Sequence, residues 1–149
     1  MHANRILMLP LAAFAATLAP TIQADCSDPL VSGSTLNNSL VCASKPGQTG
    51  DPNQRWSEIH NGDGASPQTL GEHGRGTTDK NGSYDANVGT WSYSGSSVTY
   101  NYTGDGTYTF DLRGAGDEPQ FFCSGSSEIA EIKAVTAIPD PAATNPCGW

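Results

Sequence analysis

Between residues 88 and 112, VGTWSYSGSSVTYNYTGDGTYTFDL, apolar and polar positions alternate in three short runs separated by two glycine-bearing turns. Val98, Tyr100 and Tyr102 alternate with Thr99 and Asn101, and Tyr108, Phe110 and Leu112 alternate with Thr109 and Asp111. A period of two sends one set to each face of a strand, so each run offers an apolar face to a core and a polar face to solvent. In the first run Trp91 and Tyr93 share one face, Thr90 and Ser92 the other. Thr103-Gly104-Asp105-Gly106 and, more loosely, Ser94-Gly95-Ser96-Ser97 supply residues that tolerate the positive φ of a tight hairpin. The pattern predicts a three-stranded antiparallel meander.

The remaining chain reads as further short strands. Ser34 or Thr35 is placed to cap one helical turn ahead of the apolar run Leu40-Val41-Cys42-Ala43, which predicts a first strand. Residues 44–54 hold Pro46, Gly47, Gly50 and Pro52 and read as a loop. Arg55–His60 alternates, with Trp56, Glu58 and His60 on one side. Asn61-Gly62-Asp63-Gly64 is a strong turn signal, and residues 69–75 are the return strand. Residues 76–87 are polar and turn-rich and predict an exposed loop. Residues 120–123 form a short strand. In residues 128–137, EIAEIKAVTA, Ala130, Ile132 and Ala134 fall on one face and Ile129, Glu131, Lys133 and Val135 on the other. The β-branched content favours a strand, and a helix of under three turns competes. The proline-bearing tail 138–149 is expected to be extended.

About eight strands with turn signals between them predict an all-β fold, a small antiparallel meander closed into an up-and-down barrel or a partly open one. Residues 1–24, with Arg5, an apolar run over 6–19 and Ala24 before Asp25, have the layout of a secretory signal peptide. The apolar run is shorter than the roughly 20 residues a spanning helix needs. A bacterial periplasm or medium is therefore the expected location, with residues 25–137 as one barrel-like domain. A formal net charge of −8, from 15 acidic and 7 basic residues, argues against nucleic acid and anionic membrane as partners, since both need a basic patch.

The four cysteines, Cys26, Cys42, Cys123 and Cys147, contain no Cys-x-x-Cys pair, and an even count behind an export signal points to two disulfides. Three pairings are open. Cys26 with Cys42 and Cys123 with Cys147 is the expected one, because each bond would close one end of the chain onto the sheet.

The order GTW, Gly-Ser turn, VTYNY, Gly-Asp-Gly turn, YTF and FFC resembles a group of small exported bacterial β-proteins, and the meander is similar to that of lipocalin-like barrels. The resemblance is strongest over residues 88–112 and extends weakly to Arg55–His60 and Cys123. It implies a small exported barrel and assigns no functional residue.

Candidate chemistry comes from three groups. The aromatic set Trp56, Trp91, Tyr93, Tyr100, Tyr102, Tyr108 and Phe110 is large for so small a core, and a buried phenol requires a partner, so some hydroxyls should reach water in a cavity or at a rim. Trp56, Trp91, Tyr93, Tyr100 and Tyr102 are the expected contacts of a small apolar or aromatic ligand. Glu58 and His60, with Glu72 and His73 on the partner strand, are the candidates for a metal site or for acid and base work. Residues 79–87 loosely resemble a calcium loop but lack its glycine and its final glutamate at the required spacing. No Gly-x-Ser-x-Gly elbow is present, and no cofactor is expected. A non-enzymatic exported binding module is thus the leading expectation. A protein-interaction module, such as a protease inhibitor or a component of a surface assembly, comes next, and an enzyme using the glutamate and histidine group comes third.

Overall fold

A computed structural model describes residues 25–75 and 84–149. Residues 1–24, read above as a leader, and residues 76–83, which include most of the calcium-like stretch, lie outside the described residues. Eight strands form one closed antiparallel barrel in simple chain order: β1 (Ser39–Ser44), β2 (Arg55–His60), β3 (Gln68–Arg75), β4 (Asp85–Ser94), β5 (Ser97–Tyr102), β6 (Gly106–Arg113), β7 (Phe121–Ser124) and β8 (Ser127–Ala137). The meander predicted for residues 88–112 is β4, β5 and β6, with Trp91 opposite Tyr100 and Tyr100 opposite Tyr108. Strand β4 begins at Asp85, so the end of the predicted polar loop is sheet. The chain over 128–137 is a strand, not a helix.

Closure comes from β1 pairing with β8, Ser39 opposite Ala137 and Ser44 opposite Glu131. Strand β1 is buried at all six positions. Val41 and Ala43 enter the barrel core, whereas Leu40 and Cys42 face outward into a second cluster with Ile59, Cys147, Ala134 and Trp149. A continuous apolar run is what two-sided burial requires. The ladder slips between Cys42 and Ala43, where Ala134 and Ile132 are the partners, so Lys133 is an extra residue in β8. The bulge reverses the alternation. Ala130 and Ile132 face inward as expected, but Ala134 joins the outer cluster and Val135 packs on the inner one.

The segment from residue 25 and the carboxy-terminal tail are both strapped to the outer wall. The disulfides are Cys26–Cys123 and Cys42–Cys147, which corrects the expected pairing. The reason is spatial. The amino-terminal segment runs beside the end of β6, through a Leu30–Arg113 bridge and a Val31 amide to Leu112 carbonyl bond of 2.9 Å, and so reaches β7 before it enters β1. The tail returns across β1 and β2. Its Trp149 ring lies beneath Arg55 at 4.7 Å and Lys133 at 4.3 Å, and the Lys133 ammonium donates to the Gly148 carbonyl.

One end of the barrel is plugged. A 3-10 turn, Gly33–Leu36, capped by Ser32 and not by Ser34 or Thr35, places buried Leu36 in the core. The β2–β3 loop folds over the same end, where the Tyr93 amide donates to the Gly64 carbonyl and the Trp91 indole Nε1 to the Asn61 carbonyl. Gly64 has φ +62°, and a Cβ on it would lie 2.4 Å from the Trp91 ring. Gly33 is equally tight, its Cβ direction meeting Tyr93 at 2.4 Å.

Two measurements check this arrangement. Non-reducing peptide mapping should recover Cys26–Cys123 and Cys42–Cys147, and replacing Cys42 and Cys147 together by alanine should lower unfolding stability by about 2–5 kcal/mol in urea titration. Gly64→Ala should cost about 2 kcal/mol or more, because it combines a left-handed backbone with a ring clash. A midpoint unchanged from the parent protein would mean that the loop does not pack on Trp91.

Candidate functional site

The inward faces of the strands divide the lumen into a filled half and an open half. At the plugged end Leu36, Leu70, Trp91, Val98 and Leu112 are buried together, and Trp91 stacks on Tyr93 at 6.2 Å. At the other end a cavity of about 380 Å³ opens to the surface. One wall is a continuous ring system on β5, β6 and β7. Tyr100 stacks on Tyr102 at 6.0 Å, Tyr102 meets Tyr108 edge-on at 6.0 Å, Tyr108 stacks on Phe110 at 6.5 Å, and Phe122 packs on both Tyr100 and Phe110. The opposite wall, on β2 and β3, carries Trp56, Glu58 and Glu72. Period-two alternation of Tyr100 with Tyr102 on β5 and of Tyr108 with Phe110 on β6 builds the first wall. The alternation of Trp56, Glu58 and His60 builds the second.

Two polar links cross the lumen. The Tyr102 hydroxyl donates to the Glu58 carboxylate. Deeper in, His60 Nε2 and the Tyr100 hydroxyl lie 2.9 Å apart, with the imidazole edge-on to Trp91 at 4.7 Å. His60 is fully buried, and loss of hydration drives its pKa down to about 3, opposed more weakly by the Glu58 backbone. The imidazole is therefore neutral at pH 7. Burial, then the nearby Glu58 charge and Tyr102, push the Tyr100 phenol well above its ordinary range, so it stays protonated.

These positions sort the expected site residues. Trp56, Tyr100 and Tyr102 border the cavity, as do Tyr108 and Phe110. Trp91 and Tyr93 do not border it. They point inward as their alternation requires, but they lie toward the plugged end, where the loop carrying Gly64 covers them. Phe122 is a further wall residue, and Lys45 and Asp105 come from the turns at the open end. Phe122 lies in a run of two phenylalanines that alternation alone does not orient, and the turn residues had no pattern to mark them.

The glutamates and histidines do not form one centre. Glu58 and Glu72 are direct cross-strand partners on the inner face, and His60 lies opposite Leu70 on that same face. His73 is one residue out of phase. Its ring packs on Tyr84 at 5.8 Å, and Nε2 is 3.4 Å from the Asp140 carbonyl under the tail. The two imidazoles thus stand on opposite sides of the barrel wall, which removes the expected meeting of Glu58, His60 and His73 around a metal. Among the described residues no group of three or more histidine, cysteine, aspartate or glutamate side chains is placed to hold a metal ion.

No protein-family model matches the chain, and no curated protein or solved structure matches it either.

The buried neutral imidazole makes a signed prediction. Below pH 6.5 the unfolded chain takes up a proton at His60 that the folded chain excludes down to about pH 3. This stability is complete above pH 6.5 and is lost as pH falls through that window, by about 5 kcal/mol at most. Urea midpoints measured from pH 7 to pH 4 should decline, and His60→Gln should reduce the slope by up to one proton. An identical slope in the variant would assign the acid sensitivity to other groups.

Proposed function

We propose that the protein is an exported, non-enzymatic binding module that holds a small ligand with an aromatic or apolar body in the open half of its barrel. The cavity carries this reading. At about 380 Å³ it falls within the range of small-molecule sites, and rings form half of its lining residues, with a few polar groups converging on it. An eight-stranded barrel is just wide enough either to be filled by its own side chains or to hold one small ligand. The resemblance of the meander to lipocalin-like barrels agrees with the second arrangement.

Export is supported by the leader-like first 24 residues and by two disulfides, which are compatible with an oxidising compartment. Among the described residues no helix is long and apolar enough to cross a membrane. The outward positions of β5 and β6, Thr99, Asn101, Thr107 and Thr109, are polar, which suits a wall facing water better than one facing lipid. The disulfide-held seating of the segment at Cys26 and of the tail at Cys147 suits a carrier that works as a preformed receptacle.

The test is a screen of small aromatic and apolar fragments by nuclear magnetic resonance on the oxidised protein. Hits should perturb the Trp56 indole and the signals of Tyr102, Tyr108 and Phe110, and Tyr108→Ala together with Phe110→Ala should weaken them by about tenfold, the loss of roughly 1.4 kcal/mol of contact. Hits confined to other surfaces, or no perturbation at the open end, would overturn the proposal.

A further inference from the structure

We infer that the ligand of this cavity is a compact, flat aromatic ring system and not a lipid-like aliphatic chain; the inference rests on the cavity being a binding site. Among the described residues its lining holds six rings, Trp56, Tyr100, Tyr102, Tyr108, Phe110 and Phe122, against two aliphatic side chains, Ile129 and Ala130. Flexible ligands are best met by side chains that repack around them, methionine above all. The chain has methionine only at Met1 and Met8, in the leader-like segment.

The ring wall is fixed before any ligand arrives. Tyr100 and Tyr102 lie 18° from parallel and Tyr108 and Phe110 7°, while Tyr102 meets Tyr108 edge-on and Phe122 meets Tyr100 in the same way. Each ring is therefore held by its neighbours and has little rotamer freedom left to lose on binding. A flat aromatic guest gains offset-stacked or edge contacts with such rings, which add to the effect of the area they bury. A saturated guest gains the area alone. Tyr108, 41% exposed, stands where a guest would cover it.

Depth points the same way. The wall is two side chains deep on each strand, Tyr102 above Tyr100 on β5 at 6.0 Å and Tyr108 above Phe110 on β6 at 6.5 Å. Beyond them His60, 2.9 Å from the Tyr100 hydroxyl, and the side chains of Leu70, Trp91 and Val98 fill the barrel. Two residues of strand span about 7 Å. One or two fused rings fit that depth, whereas an extended chain of ten carbons exceeds it and leaves its end in water.

Chemical-shift titration of the oxidised protein with three neutral alcohols tests this: 2-(1-naphthyl)ethanol, its decahydronaphthyl counterpart and 1-decanol. The Trp56 indole and Tyr108 signals report whether binding is at the open end. The naphthyl probe should bind about tenfold more tightly than either of the others. Saturation makes the body more apolar, so burial alone would rank the decahydronaphthyl probe first. In Tyr108→Leu/Phe110→Leu, which keeps the wall apolar, the preference should shrink by about threefold or more while the decahydronaphthyl probe keeps its affinity. Equal or tighter binding of a saturated probe by the parent protein would overturn the aromatic inference and leave the cavity reading standing. Binding of none of the three at the open end would remove the cavity reading itself. A preference unchanged by the double substitution would overturn the role of the ring wall, and the comparison in the parent protein holds even if that variant does not fold.

Discussion

The pairing of the first strand with the last is the constraint on which the other features depend. A meander of eight strands left open would expose two edges, each a template for association with another chain. Joining Ser39–Ser44 to β8 removes both and encloses a lumen. It also places β1 between the inner core and the tail, which is why this strand has no exposed position and why Leu40 and Cys42 are as deeply buried as Val41 and Ala43. The Cys42–Cys147 bond then secures the tail at the seam where the barrel closes.

Closure produces an interior that the side chains fill unevenly. Large aliphatic and aromatic groups, the 3-10 turn and the β2–β3 loop occupy one half. In the other half the small Ala130 stands at the cavity wall, and the rings on β5 to β7 lie along their own wall instead of crossing the lumen. Space remains between the ring wall and the two glutamates. The polar links at Glu58 and His60 sit at the transition between filled and open halves, where an unpaired phenol would be costly and a hydrogen bond across the lumen satisfies it.

The same transition separates two kinds of titratable group. His60 is dry, neutral and bonded to Tyr100, so it acts as a structural hydrogen-bonding group whose protonation opposes folding. Glu58 and Glu72 border the cavity, and Glu58 accepts from the Tyr102 hydroxyl there. Although His60 is only two residues from Glu58 and shares its face, depth alone divides their roles.

Much of this architecture was legible in the chain. Alternation at Val98, Tyr100, Tyr102, Tyr108, Phe110 and Leu112, with glycine turns between the runs, specifies strands and which side chains share a face, because the period of a strand is a local property. The apolar run at residues 40–43 specified a first strand, and the structure showed it buried on both sides. Local pattern does not encode distance along the barrel axis, so it could not separate Trp91 and Tyr93 toward the plugged end from Tyr102 and Tyr108 toward the open one. Alternation already puts the adjacent Glu72 and His73 on opposite faces, but only the register across β2 and β3 decided that Glu72 is the one opposite Glu58. The bulge at Lys133 and the route of the amino-terminal segment past β7 are likewise decided by pairing between distant parts of the chain. The sequence by itself determined the strands, their two faces and the even set of cysteines. Only the tertiary structure decided the disulfide partners, the inward or outward side of residues beyond the bulge, and which aromatic rings surround a cavity, because each of these depends on contacts between residues far apart in the chain.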